Sequence, residues 1–327
     1  LLGIYTVKAD LGKALDTANR CLSIAEQLGE LGPRARAHRL VGQTLYLRGE
    51  LAPARQHLEE ARRLIQSALD ADPAGLAQSI GSQVMTHAFL SHVLWLQGEV
   101  GTALETGHQG LEIACLGQGA FHRSGALYFL AWIYGWQLDF DTLDETIAQL
   151  HQLTEEHNIT AWGSTDEIFA DWRALLTKKH RKRLVREHLK SIRMNPGLRA
   201  PFKLGVLSQG IDDDRQALQV IDEAIDLAQS TGECWSDPEL YRLKGERLIQ
   251  TDGALGLQHL NEACELAQSA GALSWHLRAA LQLGHWYEAQ GELSRAKASV
   301  VGVYEQFAGR QDTPDLRAAK ALIDKAM

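Results

Sequence analysis

The sequence predicts an all-α protein built as an α-solenoid of antiparallel helix pairs, and three observations predict it. A turn phrase recurs: "LRGELAPARQHL" at 47–58, "LQGEVGTALETG" at 96–107 and "AQGELSRAKASV" at 289–300 each carry Gly-Glu and a small residue four places after the Glu. Apolar residues fall at i, i+3, i+4 and i+7 through "LQVIDEAIDLA" (218–228) and "LNEACELA" (260–267), which is the helical period. The β-branched alternation between Asn-Gly turns that marks hairpin strands is missing from the sequence.

Aligned on the small residue after the turn, Ala14, Ala54, Ala103, Ala217, Gly256 and Ala296 fall in register. The steps are 40, 49, 114, 39 and 40 residues, and 114 is close to three units of 38. A second small residue precedes most anchors by twelve (Gly42, Ser91, Gly205, Gly284) and Gly256 by eleven (Gly245). A third follows by seven, at Ala61, Gly110, Ala224 and Ala263. Where antiparallel helices cross closely, a large side chain holds the backbones apart, so the contact points are expected to be small. Leu45, Leu58 and Leu64, or Leu248, Leu257 and Leu260, fill the space around them.

The elements follow in order. The phrase "SIAEQLGE" ends a helix at Gly29, and "AIDLAQSTGE" and "ACELAQSAGA" end helices at Gly232 and Gly271, 39 residues apart. Glycine just past the last turn is the left-handed stop. One unit is thus two helices of roughly four to five turns, and about eight such pairs are expected over 1–311. Two stretches depart from the pattern. Around Asp139–Asn158 the anchor is Leu143, and "KKHRKRLVREHLKSIR" replaces turn and anchor in a degenerate fifth pair at about 160–195. Asp212–Asp214 reads as a helix start, where negative charge is favourable. Trp162, Trp235 and Trp275 read as staples ahead of successive first helices. At 312–327, Thr313 as N-cap, Pro314 at the first helical position and an acidic first turn predict a capping helix that closes the stack.

Composition narrows the class. Apolar residues make up 45% and charged residues 23%, which is globular, and 7 prolines over 327 residues leave no linker. A net charge of −8 gives no general attraction to nucleic acid or acidic membranes. Cys21, Cys115, Cys234 and Cys264 are far apart and form no C-x-x-C; they are expected to be reduced, partly buried thiols of a cytoplasmic protein. No apolar run approaches the ~18 residues of a membrane span. The opening "LLGIYTVKADLG" has neither initiator Met nor signal-peptide layout, so the chain is expected to be a fragment starting inside an amphipathic segment.

The small–large–small pattern resembles the tetratricopeptide repeat, with a period near 40 where that family usually has about 34. "GECWSDPELYRLKGERLI" (232–249), "SWHLRAALQLGHWYEAQGE" (274–292) and "DTPDLRAAKALI" (312–323) sharpen the likeness, and "GQTLYLRGELAPARQHLEEA" (42–61) fits an early repeat. They resemble the closing repeats of bacterial multidomain proteins that join a class III adenylate/guanylate cyclase to an AAA- or STAND-type ATPase and a C-terminal repeat tail. The resemblance implies a right-handed superhelix and a sensor or regulatory role beside catalytic domains of the same polypeptide.

No motif for that catalysis lies in the chain. G-x-x-x-x-G-K-[ST] is missing, and "LGKAL" at 11–15 lacks the glycine loop and the hydroxyl for magnesium. G-x-S-x-G and H-E-x-x-H are missing too. His87/His92 and His151/His157 are five and six apart, which puts no two ligands on one helical face. The expectation is therefore no catalytic residue, no metal and no cofactor.

Two features are candidates for binding. In the first helix of each unit, positions three or four from the small residue face the inner groove of a tetratricopeptide-like array. That offset selects Arg36, Arg39, Gln43 and Tyr46, then His92 and Trp95, then Tyr128 and Trp132, then Arg199 and Phe202, then Arg242 and Glu246, then Arg278 and His285. Arginines and aromatics dominate binding energy at interfaces, so a protein partner or small effector is expected there. Two readings stand for Trp95 and Trp132, groove wall or core wedge between units, and ordinary surface is the other reading of the arginines. The second feature is basic: Lys178, Lys179, Arg181, Lys182, Arg183, Arg186, Lys190 and Arg193 stand against the single acid Glu187. It reads as a solvated helix face backed by Leu184, Leu189 and Ile192, or as a site for nucleic acid, phosphate or an acidic domain. The first is favoured, so a nucleic-acid partner is not expected. A repeat sensor in an ATP-dependent transcriptional activator is the alternative function; it calls for a basic recognition helix after the repeats, where this chain has a short cap with Lys320 and Lys325.

Overall fold

A computed structural model describes residues 10–72, 76–117, 119–160, 169, 172–175, 181–307 and 313–325. Among them there are helices and no strands. In order these are α1 (Leu11–Leu28), α2 (Leu31–Leu47), α3 (Leu51–Ala71), α4 (Leu76–Leu96), α5 (Val100–Leu116), α6 (Ala120–Trp136), α7 (Phe140–Glu156), α8 (Arg181–Met194), α9 (Ala200–Ser208), α10 (Asp214–Thr231), α11 (Asp237–Leu248), α12 (Gly253–Ala270), α13 (Leu273–Ala289), α14 (Leu293–Tyr304) and α15 (Pro314–Lys325). The chain divides into two compact units, 1–95 with 101–173 and 96–100 with 174–327.

In the first unit α1 packs on α2, α2 on α3 and α6 on α7. In the second, α9 pairs with α10, α11 with α12 and α13 with α14, while α11 also touches α13 and α13 touches α15. Short connections between helices that pack on each other make these antiparallel hairpins. Both helices of a hairpin touch the first helix of the next: α9 and α10 touch α11, and α11 and α12 touch α13.

The small residues lie where the helices cross. A Cβ on Gly42 would stand 2.7 Å from Leu58 Cγ and 3.0 Å from the Ala54 carbonyl oxygen. On Gly245 it would meet Leu260 Cγ at 2.8 Å and the Gly256 oxygen at 2.9 Å; on Gly284, the Ala296 oxygen at 3.2 Å. The same contact thus recurs three times, and Ala14, Ala54, Ala103, Ala217 and Ala296 are all buried. The expected stops at Gly29, Gly232 and Gly271 have φ of 73°, 75° and 68°.

The Gly-Glu phrase is a tight reversal. Gly49 N–H donates to the Tyr46 carbonyl and Glu50 N–H to that of Leu45, with φ of 79° at Gly49. The turn from α6 to α7 repeats both bonds, Leu138 to Gly135 and Asp139 to Tyr134, but with leucine at φ 58°. That non-glycine residue sits five places before Leu143, the oversized anchor, so one unit departs from the pattern twice.

Helix starts follow the sequence. Asp213 accepts from Gln216 N–H at 2.8 Å, and Thr313 Oγ1 from Leu316 N–H at 3.2 Å with Pro314 opening α15. Trp235 precedes α11 as expected, but Trp275 is the third residue of α13, buried within the helix; Trp162 lies outside the described residues. The cysteines are free, and Cys21 and Cys115 are exposed, not partly buried as their sequence context suggested. No described helix is long and apolar enough to cross a membrane.

Candidate functional site

Helix α2 carries one face whose polar residues are set by their distance from the crossing glycine. Arg36, Arg39 and Gln43 stand six before, three before and one after Gly42, so they line up along one side of the helix. Arg39 Nη1 donates to Gln43 Oε1 at 3.1 Å. Its Nε is shut off from solvent and has no hydrogen-bond partner. Burial first, and the Arg36 charge second, press the Arg39 pKa down to about 10. Arg39 is therefore still charged at neutral pH, yet it makes no ion pair among the described residues.

Arg36 also lines a cavity of about 790 Å³, walled by the C-terminal halves of α1 and α3 and the N-terminal halves of α2 and α4; Arg39 and Gln43, further along the helix, stand outside its lining. Ile24 and Leu28 on one side, Ile65 and Leu69 on the other, and Leu40 on the floor make it mainly apolar. Ile24 and Leu28 are exposed at 58% and 61%, although both lie on the stripe of α1 that faces the cavity. Its polar groups are Arg36, the hydroxyls of Ser79 and Ser82, and Glu30 and Asp72, both exposed, at the ends of α2 and α3. Size and lining are those of a small-ligand site.

The corresponding face of α11 is built differently. Relative to Gly245, Glu239 stands six before, Arg242 three before and Glu246 one after. Arg242 Nε and Nη2 donate to both oxygens of buried Glu239 at 2.8 and 2.9 Å, and Nη1 donates to Glu246 Oε2 at 2.8 Å. Burial works against the Arg242 charge, but the two carboxylates outweigh it and hold the pKa above the ordinary arginine range. Arg278 joins from α13, 3.9 Å from Glu239, and donates to Asp315 of α15 at 2.7 Å with its guanidinium 5.1 Å from the Trp275 ring. Two of the arginines chosen as groove residues are thus held by carboxylates of their own unit. His285 is exposed and belongs to no such group.

The aromatic candidates are core and do not line a groove. Trp95 and Trp132 are 3% and 1% exposed, and Tyr46, Tyr128 and Phe202 are buried as well. Trp95 packs on Trp136 at 4.9 Å and Trp132 on Phe169 at 4.8 Å. His92 is a satisfied core histidine. The Phe129 carbonyl accepts from Nε2 at 2.9 Å, which leaves Nδ1 to accept from the Tyr46 hydroxyl at 3.2 Å. These rings follow the groove offset, but the next hairpin covers them.

Arg199 is buried at φ 66°, and its backbone N–H donates to both oxygens of Glu233, at 2.8 and 3.0 Å. Trp235 Nε1 donates to the same carboxylate at 3.0 Å. Burial still pushes the Glu233 pKa up to about 7, and burial raises Asp237 to about 6. Glu233 and Glu239 were not selected from the sequence. The only signal for Glu239 was its place six before Gly245, opposite in charge to Arg36.

The basic stretch forms an exposed helix face over a buried apolar side. Lys178 and Lys179 lie outside the described residues, and Arg181 opens α8. Lys182, Arg183, Arg186, Lys190 and Arg193 are exposed, while Val185, His188, Leu189 and Ile192 form the buried side and Leu184 is half-buried. Arg183 pairs with Glu187 at 2.8 Å and Arg193 with Glu223 at 2.6 Å.

Across two helices of the first unit, His38 Nδ1 and His57 Nδ1 approach to 3.0 Å, and burial lowers both pKa values. Among the described residues, no group of three or more His, Cys, Asp or Glu is placed to hold a metal ion. No protein-family model and no curated protein matches the chain.

Proposed function

We propose that the chain is a non-catalytic binding scaffold, a right-handed tetratricopeptide-like superhelix that takes a protein or small effector and passes the event to other domains. The regulatory region of a bacterial signalling protein with cyclase or ATPase domains is the setting its repeats fit. The transcriptional-activator setting ranks second, because α15 is a short helix with a buried apolar side and not a basic reading helix. The observation that carries the reading is the threefold recurrence of one helix crossing, Gly42 on Ala54, Gly245 on Gly256 and Gly284 on Ala296. Stacked hairpins of this kind touch only their neighbours, so small rotations add along the array and a bound ligand can shift its curvature. The cavity beside α2 is the place for that ligand.

Two measurements test this. A compact globule of this length has a radius of gyration of about 20 Å, so small-angle scattering giving that value excludes an extended superhelix. Turnover of ATP, GTP or a generic ester by the purified chain excludes a purely binding role.

A further inference from the structure

The repeat places an arginine three residues before the crossing glycine in both α2 and α11, and the two helices provide for it differently. Around Arg242 the flanking positions hold Glu239 and Glu246, and the guanidinium is bonded to both carboxylates. Around Arg39 the same positions hold Arg36 and Gln43. One bond to Gln43 remains, Nε is enclosed without a partner, and the neighbouring charge is of the same sign. Arg39 is half-buried, and enclosing its Nε without an anion is costly, while arginines one turn apart on a helix add repulsion. The position that α11 satisfies with its own carboxylates is left open in α2, next to an apolar cavity that Arg36 and Leu40 themselves line.

We propose that this cavity binds a small amphipathic monocarboxylate, with its apolar body between Ile24, Leu28, Ile65 and Leu69 and its carboxylate on Arg36 and Arg39. The inference rests on the binding-scaffold reading and names its ligand. A carboxylate is the chemistry that α11 uses at the equivalent arginine, and the planar guanidinium suits it because two parallel bonds form. Glu30 and Asp72 at the ends of the flanking helices disfavour a second negative charge on the ligand. A short apolar chain matches walls built from Ala, Leu and Ile.

The test is titration calorimetry of the full chain with octanoate and with 1-octanol. Octanoate is expected to bind at one per chain and at least about tenfold tighter than octanol, a factor of ten being one step on the affinity scale. Arg39→Gln is expected to erase that advantage and leave octanol binding unchanged. The double variant R36E/Q43E supplies α2 with the acids of α11. It should abolish octanoate binding while raising the melting temperature, which separates loss of the site from loss of the fold. Equal affinity for octanoate and octanol, or wild-type octanoate binding by Arg39→Gln, overturns the carboxylate assignment and leaves the cavity standing. Binding of neither compound overturns the assignment and the cavity together.

Discussion

Helices α2 and α11 are two settings of one repeat position. Both cross their partner at a glycine, with the partner's carbonyl oxygen 3.0 or 2.9 Å from where a Cβ would be. Both place an arginine three residues earlier and a side chain with an accepting oxygen one residue later. In α11 the arginine closes a network reaching Arg278 and Asp315; in α2 its charged neighbour is Arg36, which lines the cavity. The crossing fixes where the guanidinium stands. Its neighbours at two further positions decide whether its charge is paired within the fold.

The sharpest way to break this comparison is the same substitution at both positions. Arg242→Met leaves Glu239 buried beside no close partner but Arg278, and should cost about 3–5 kcal/mol in urea unfolding. Arg39→Met removes a half-buried charge that has no anion, and should be neutral or stabilising. Similar losses at both positions would erase the distinction.

Two sites, one around Glu233 and one around the histidines of α2–α4, should also respond to pH in opposite senses. Burial raises Glu233 to about 7 from an unfolded value near 4.5, so its stabilising contribution is fully present below the unfolded pKa and is lost as pH rises through the folded one. Burial lowers His38, His57 and His87, so their contribution is present above about 6.5 and is lost as pH falls. Hydrogen exchange between pH 8 and pH 5, corrected for intrinsic rates, should show amides near Glu233 gaining protection while those of α2–α4 lose it. Glu233→Gln should flatten the first trend, which corresponds to as much as about 3 kcal/mol over that range.

Smaller effects probe the crossings. Gly42→Ala and Gly245→Ala each force a methyl against a backbone carbonyl and should cost about 1–3 kcal/mol, alike in the two hairpins. A large difference would mean that the crossings are not equivalent. Leu138→Gly should stabilise the chain by about 1 kcal/mol, because Leu138 holds φ 58° where the matching turns have glycine and is 39% exposed. No rise in melting temperature would show that its contacts offset the strain.

Much of the architecture is legible in the sequence. Gly42, Gly245 and Gly284 announced their crossings, because only a hydrogen fits where two backbones meet. Gly29, Gly232 and Gly271 announced the helix ends by the conformation that a stop requires. The candidate site was readable in part. Arg36, Arg39 and Gln43 were selected, but so were Trp95, Tyr128 and Trp132, which turned out to be core. An offset along one helix gives a side chain's direction and says nothing of how closely the following hairpin covers it. Glu233 and Glu239 escaped because a buried carboxylate has the same letter as an exposed one.

The sequence by itself determined the helices, their ends and the points where they touch, since these depend on residues a few places apart and on the size of a single side chain. Tertiary packing decided which arginine is compensated, which rings are sealed and where a cavity remains. Dehydration and charge pairing depend on groups that distant parts of the chain bring within a few ångströms, and spacing along one helix does not encode that distance.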